Sequence, residues 1–116
     1  MAVVVNETGN INVSNEVLAT IVGQSVEQCY GIVDMSSSSA SDGLWSLLHK
    51  DNYSKGITVK TNEDELEIDV YVIVEYGVSI DAVAHVVIDT IAYNIESLTG
   101  IKTSKVNVHI QDVRVE

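Results

Sequence analysis

Residues 66–75 of this chain, LEIDVYVIVE, place an apolar side chain at every second position. Successive side chains of a β-strand point to opposite faces, so this spacing predicts a strand with one buried face. The opposite face carries acidic residues together with Tyr71 and Ile73. A strand with charge on one face belongs to a sheet that is covered on one side only. The predicted buried face consists of Leu66, Ile68, Val70, Val72 and Val74.

Two segments with helical spacing can cover that face. Ser14 is a predicted N-cap, and apolar residues recur every three or four positions from about Asn15 to about Gln28. Ser79 is a second predicted N-cap, and the helix after it is expected to end at Gly100. The apolar stripe predicted for this second helix is Ile80, Ala84, Val87, Ile91, Ile95 and Leu98.

Shorter alternating stretches predict the remaining strands. In the last of them, Ile110 and Val113 fall on opposite parities, which predicts a β-bulge or bend near Gln111–Asp112. A turn at 62–65 joins two of the strands into a hairpin. The predicted strands cover residues 11–13, 31–35, 57–61, 66–75 and 106–115.

The predicted order is strand, helix, strand, insert, strand, strand, helix, strand. Two long amphipathic helices can lie on one face of a mixed β-sheet, so the expected fold is a two-layer α+β sandwich. At 116 residues the chain is most simply a single domain, 1–116. Its hydrophobic fraction of 46% is sufficient for a core.

Residues 36–55 are expected to form a flexible serine-rich insert. Four consecutive serines bury too little apolar surface to become ordered. The apolar residues that follow predict a short helix of about two turns, which is marginal in water unless it docks on something. Docking on its own domain and docking on another protein both remain open. With the uncovered sheet face, the candidate interface residues are Leu44, Trp45, Leu48, Tyr71 and Ile73.

Charge and composition disfavour several classes of binding partner. The formal net charge is −11, which repels the phosphate backbone of nucleic acids and anionic lipid headgroups. An RNA-binding KH module is disfavoured because no Gly-x-x-Gly occurs. Cys29 is the only cysteine, which suits a reducing compartment. No signal peptide or membrane span is indicated, so we expect a cytoplasmic protein without direct membrane insertion, associated with a membrane only through a partner.

No motif for catalysis, a cofactor or a metal emerges. The serine run, Asp34 or Asp42, and His49 contain the residue types of a hydrolase triad. However, Gly-x-Ser-x-Gly is absent and a flexible run is not preorganised. The acidic turn at 62–65 lacks the alternating ligands and the glycine of a calcium loop. The histidines are unpaired at ligand spacing, so no metal site is expected. They are His49, His85 and His109.

Several stretches occur in an order and spacing that resemble a known family. Each is weak alone, but together they cover the chain from about Gly9 to about Val115 and resemble the alkaline-shock protein family. This is also called the envelope stress response family of Gram-positive bacteria. The stretches are Gly9–Ser14, Tyr53–Val59, Leu66–Gly77, then Ile80, Val83 and Val87, followed by Glu96–Ile101 and Val106–Ile110.

The resemblance implies a non-enzymatic, cytoplasmic protein that acts through protein–protein contacts. Some members of the family self-assemble and lie beneath the membrane through an anchoring partner. We therefore expect a homo-oligomeric scaffold of the envelope or alkaline stress response, without a cofactor. The resemblance to short members of the family implies an alternative function, as an accessory subunit of a cytoplasmic dihydroxyacetone-kinase-like enzyme.

Overall fold

The computed structural model describes residues 2–35, 56–62 and 65–115. It has an α+β fold, as predicted. The predicted insert at 36–55 lies outside the described residues, and with it the candidates Leu44, Trp45 and Leu48. The elements are β1 (Ala2–Asn6), β2 (Gly9–Val13), α1 (Asn15–Glu27), β3 (Ile32–Met35), β4 (Ile57–Asn62), β5 (Glu65–Glu75), α2 (Ile80–Thr99) and β6 (Lys105–Arg114).

Strand β5 is the centre of the larger sheet. Strand β6 runs parallel to it along one edge. On the other edge, β4 pairs antiparallel with residues 65–70 and β3 pairs antiparallel with residues 72–74. The two short strands therefore share one edge of β5 in succession, and the sheet is mixed in direction. Every other strand of this sheet is positioned by its hydrogen bonds to β5.

One hydrophobic core joins the even-numbered face of β5 to both helices. The five apolar residues predicted for this face are each at most 2% exposed, which confirms the alternation. Each helix contributes a fully buried side chain from each of several successive turns. Burial of each aliphatic side chain is worth about 1.5–3 kcal/mol. These helical core residues are Leu18, Val22 and Val26 of α1, and Val87, Ile91 and Ile95 of α2.

Both predicted helix starts are present. The Oγ of Ser14 accepts a hydrogen bond from the Val17 N–H at 3.2 Å, and the Oγ of Ser79 accepts one from the Ala82 N–H at 3.3 Å. These bonds satisfy N–H groups that have no partner within the helix. Helix α2 ends where Gly100 adopts a φ of 81°, as predicted for a helix-ending glycine.

The stripe predicted for α2 is wrong at both ends. Ile80 and Leu98 are exposed, and Val83 is buried in their place. An α-helix has about 3.6 residues per turn, so residues spaced four apart do not lie directly above one another. A buried row with this spacing therefore moves gradually around the helix along its length. The buried row is Val83, Val87, Ile91 and Ile95.

The two helices are linked by a buried hydroxyl. The Oγ of Ser25 on α1 donates to the Ile21 carbonyl at 2.7 Å and accepts from the Nδ2 of Asn94 on α2 at 2.8 Å. Ser25 is fully buried, so these bonds satisfy a polar group that would otherwise destabilise the core. Cys29 is buried one turn further on, and its Sγ lies 3.3 Å from the Ser25 carbonyl oxygen.

The predicted bulge in the last strand is present. Val72 pairs with Ile110, but the next residue, Ile73, pairs with Asp112. Gln111 is therefore the extra residue, and it shifts the parity of the side chains that follow.

The N-terminal hairpin was not predicted. Strand β1 pairs antiparallel with β2, from Ala2 opposite Val13 to Asn6 opposite Gly9, through a two-residue turn. Only the second strand was predicted from the sequence, because the valine run at 3–5 has no alternation. Ala2 and Val13 are buried at the base of the hairpin, whereas Val3 and Val5, nearer its tip, are exposed.

Replacement of Gly31 by alanine should destabilise the fold strongly. Gly31 has a φ of 91°, and an added Cβ would lie 2.8 Å from Val83 Cγ2 in the core. Left-handed strain of about 1–2 kcal/mol and overpacking of about 1–3 kcal/mol should together lower the unfolding free energy. The measurement is urea denaturation followed by circular dichroism.

Gly77→Ala is the matched control for this substitution. Gly77 has a φ of 99°, but nothing lies within 4 Å of the position of an added Cβ. The unfolding free energy of Gly77→Ala should therefore fall only by the left-handed strain of about 1–2 kcal/mol. Equal losses at Gly31 and Gly77 would contradict the close approach of Gly31 to Val83.

Candidate functional site

The odd-numbered side chains of β5 form, with side chains of β6, a second surface that we call the outer face. The parallel register places Asp69 beside Asn107 and Tyr71 beside His109. Residues paired in this way share a face of the sheet, so side chains distant in sequence become neighbours. The outer face consists of Glu67, Asp69, Tyr71, Ile73, Asn107 and His109.

Asp69 lies at the centre of a hydrogen-bond network. Its Oδ1 accepts from Asn107 Nδ2 and from His109 Nε2, each at 3.0 Å. Asn107 Nδ2 also donates to Glu67 Oε2 at 2.9 Å. Asp69 is only 8% exposed, although it belongs to the face that the sequence predicted to be bare. The expectation of a fully bare face is therefore wrong at Asp69, because neighbouring side chains cover it.

The network keeps Asp69 ionised. Burial acts to raise the pKa of the Asp69 carboxyl, but the hydrogen bonds from His109 and Asn107 and the charges of His109 and Lys60 outweigh it. The pKa of Asp69 is consequently held below its ordinary value of 3.8. Since an ionised carboxylate only accepts hydrogen bonds, the Nε2 of His109 must carry a proton in this arrangement.

His109 also joins an aromatic stack. Its ring lies 4.4 Å from the ring of Tyr71, measured between centroids, and the two planes differ by 12°. The His109 side chain remains 40% exposed. One edge of its ring is thus held by Asp69 and one face by Tyr71, which restricts its rotamers. The result is a planar aromatic surface beside a fixed carboxylate.

The structure brings some predicted interface residues together and says nothing of others. Tyr71 and Ile73 lie two residues apart on the outer face, and both are half-buried. Leu44, Trp45 and Leu48 lie outside the described residues. Their docking, either on the same domain or on another protein, stays a prediction.

The alternation of residues 66–75 placed Asp69 on the face opposite the core, but it did not predict the bond between Asp69 and His109. The two residues are 40 positions apart, and alternation gives only their parity. The parallel register of β5 and β6 was needed to show which side chains are opposite each other. No local signal in either strand specifies that register.

The other titratable candidates stand apart from this network. His85 is exposed on α2, and its Nδ1 lies 2.7 Å from the Asp81 carbonyl oxygen. That hydrogen bond and the nearby Asp81 carboxylate raise the pKa of His85. Within residues 2–35, 56–62 and 65–115, no three His, Cys, Asp or Glu side chains are arranged to hold a metal ion. His49 lies outside the described residues.

The outer face is therefore suited to recognition by contact. The Nδ2 of Asn107 and the Nε2 of His109 are already bonded to carboxylates of the same face, which fixes the directions of these side chains. Its aromatic surface is partly open to a partner. Interfaces are enriched in such aromatic residues, and side chains already held in place lose less entropy on binding.

Asp69→Asn should destabilise the protein at neutral pH and alter its acid unfolding. Hydrogen bonds to a charged group are each worth about 1.5–3 kcal/mol, so a loss of about 1–3 kcal/mol is expected at pH 7. Because the folded-state pKa is depressed, this stability is present above pH 3.8 and is lost as pH falls through the folded pKa. The difference between the two proteins should shrink towards pH 2.

Urea unfolding between about pH 2 and pH 7 measures both effects. Asp89→Asn is the control, because Asp89 is exposed on α2 and lies outside the outer face. A constant difference between wild type and Asp69→Asn at every pH would contradict the ionised, hydrogen-bonded state of Asp69.

Comparison with known proteins agrees with this architecture. A solved structure of a MamM-CTD variant superposes on 88% of this chain and 100% of its own, with a TM-score of 0.52 and 10% identity. At that identity the likeness concerns the fold alone. In the described parts of the chain, no helix combines the length and the apolar character needed to cross a membrane.

Sequence comparison gives closer relatives. Uncharacterized protein YloU of Bacillus subtilis is 41% identical over 92% of this chain and 90% of its own length. Uncharacterized protein Spy1614 of Streptococcus pyogenes is 39% identical over 99% of this chain and 97% of its own. The model of the alkaline shock protein 23 family, described as having a cell envelope-related function, matches residues 4–115. This chain therefore belongs to the alkaline shock protein 23 family, as the resemblance of its short motifs predicted.

Proposed function

We propose that this protein is a non-enzymatic scaffold of the cell-envelope stress response, which acts through contacts with itself and with a protein partner. The observation that carries the proposal is the outer face, where the Tyr71–His109 stack lies beside the buried Asp69 carboxylate. The family supplies the setting, a cell envelope-related function.

The packing of both helices on one side of the sheet supports the proposal that the outer face is available to a partner. The buried residues of α1 and α2 belong to the same core as the even-numbered residues of β5. We infer a two-layer arrangement in which both helices cover that side of the sheet. Tyr71 and Ile73, on the other side, then provide apolar contact area within a polar surround, which is the composition of many protein interfaces.

The charge of the protein favours an indirect link to the envelope. A net charge of −11 opposes direct adsorption to anionic lipid headgroups. We therefore propose that the protein works on the cytoplasmic side and that a partner supplies the contact with the membrane. The alternative of an accessory subunit of a kinase-like enzyme finds no support in the comparisons.

A photo-crosslinking residue at position 71 should capture a neighbouring protein in the native cell. The aromatic photo-crosslinker p-benzoylphenylalanine replaces Tyr71 with a ring of related shape. If the outer face is an interface, irradiation should give a discrete crosslinked band of a defined protein or of a second copy. Immunoblotting and mass spectrometry of the band provide the measurement.

Tyr93 is the matched control for this experiment. It is a tyrosine on α2 that is more exposed than Tyr71 and lies away from the outer face. It should give no discrete adduct. Similar bands from positions 71 and 93, or none from position 71 in a folded protein, would reject the outer face as the interface.

A further inference from the structure

We propose that the N-terminal hairpin is a self-association surface, in which β1 of one copy pairs antiparallel with β1 of a second copy about a two-fold axis at Val4. This inference rests on the self-association included in the proposed function, and it names the contact. It follows from the exposure, the hydrogen-bond geometry and the charge of residues 2–13.

The hairpin leaves more apolar surface open than a two-stranded sheet sustains by itself. Isolated two-stranded hairpins are at best marginally stable in water. Ala2 and Val13, at the base, are buried here, whereas Val3, Val5 and Ile11 are 49%, 72% and 53% exposed. Val3 and Val5 project from one face of the hairpin and Ile11 from the other, so a second strand on the β1 edge adds valine side chains beside Val3 and Val5.

The backbone of β1 is arranged to accept another strand. In a hairpin with a two-residue turn, the residues that flank the turn exchange both hydrogen bonds, and such pairs alternate along the ladder. Asn6 and Gly9 flank the turn here, so the inward-bonded residues of β1 are Ala2, Val4 and Asn6. The N–H and C=O groups of Val3 and Val5 consequently point outward. Among the described residues, β1 pairs with β2 alone.

This outer edge of β1 is complementary to a copy of itself. An antiparallel pairing centred on Val4 places Val3 of each copy opposite Val5 of the other. Both members of each pair have outward-pointing backbone groups, so each pair exchanges two hydrogen bonds. The resulting four-stranded sheet gathers the side chains of Val3 and Val5 from both copies on one face. A two-fold contact of this kind closes on itself as a dimer.

Charge indicates that a second copy of this chain fits here. Two copies of a chain with a net charge of −11 repel each other over most of their surfaces. Residues 2–13 contain a single ionisable side chain, Glu7 in the turn. In the proposed register, the Glu7 residues of the two copies lie six residues apart along the strand direction, about 20 Å. That separation exceeds the Debye length of about 8 Å at physiological salt, so their repulsion is screened.

Sedimentation equilibrium of the full-length protein tests the contact. The wild type should show a concentration-dependent mass that rises to that of a dimer. Val3→Lys and Val3→Glu should each weaken dimerisation by at least about tenfold, because either substitution places two charges in the paired edge. Lysine makes the net charge less negative and glutamate makes it more negative. If both substitutions weaken dimerisation, the cause is therefore the loss of edge pairing and not general charge repulsion.

Val17 on α1 provides the matched control. Val17 is 48% exposed, against 49% for Val3. Val17→Lys and Val17→Glu should change the dissociation constant by less than about twofold, as expected for surface positions outside the contact. A wild-type dimer that is unaffected by both Val3 substitutions would overturn the hairpin contact while leaving self-association intact. A wild type that stays monomeric would reject self-association itself.

Oxidative crosslinking tests the register. In a Cys29→Ser background, Val4→Cys places two cysteines directly opposite each other, with Cα atoms about 4.5 Å apart, which is within disulfide range. Val5→Cys is the control, because its opposite residue in the second copy is Val3. A disulfide-linked dimer from Val4→Cys alone supports the proposal. Equal dimer from Val5→Cys, or none from Val4→Cys in a protein that dimerises, overturns the register.

Discussion

The structure depends on the burial of one face of β5 while both of its edges are hydrogen bonded. Its even-numbered side chains are at most 2% exposed, and they contribute to the same core as the inner sides of both helices. Removal of those aliphatic groups from water is the largest favourable contribution available to a chain of this size. Within the described residues, β3, β4 and β6 pair with β5 and with no other strand, so its position determines theirs.

The same strand builds the outer face. A β-strand that buries one set of side chains must project the other set away from the core, so Asp69 and Tyr71 are presented by the packing of their neighbours. The parallel register with β6 then supplies Asn107 and His109 as partners. Asp69 stays charged within this network because the hydrogen bonds to it outweigh the cost of its burial. The surface proposed for recognition is thus a consequence of the way the core is made.

High negative charge and the proposed self-association make opposite demands on this protein. A net charge of −11 keeps copies apart over most of the surface. Contacts between copies are therefore favoured where charge is sparse, and the β1–β2 hairpin is such a region. The acidic surface and the uncharged hairpin together would allow association at one defined place and oppose it elsewhere, which is a useful property in a scaffold.

The sequence by itself determined the features that depend on neighbours along the chain. Serine caps, a helix-ending glycine, the alternation of β5 and the parity change at Gln111 are local, and each was predicted correctly. The family could also be inferred, because the spacing of such features is a property of the sequence. Tertiary structure decided the rest. The partner of Asp69, the turn of α2 that faces the core, and the pairing of β1 all depend on which segments meet in space. The residue pattern within one segment predicts which of its faces is buried, but it does not specify which distant segment will pack or pair with that segment.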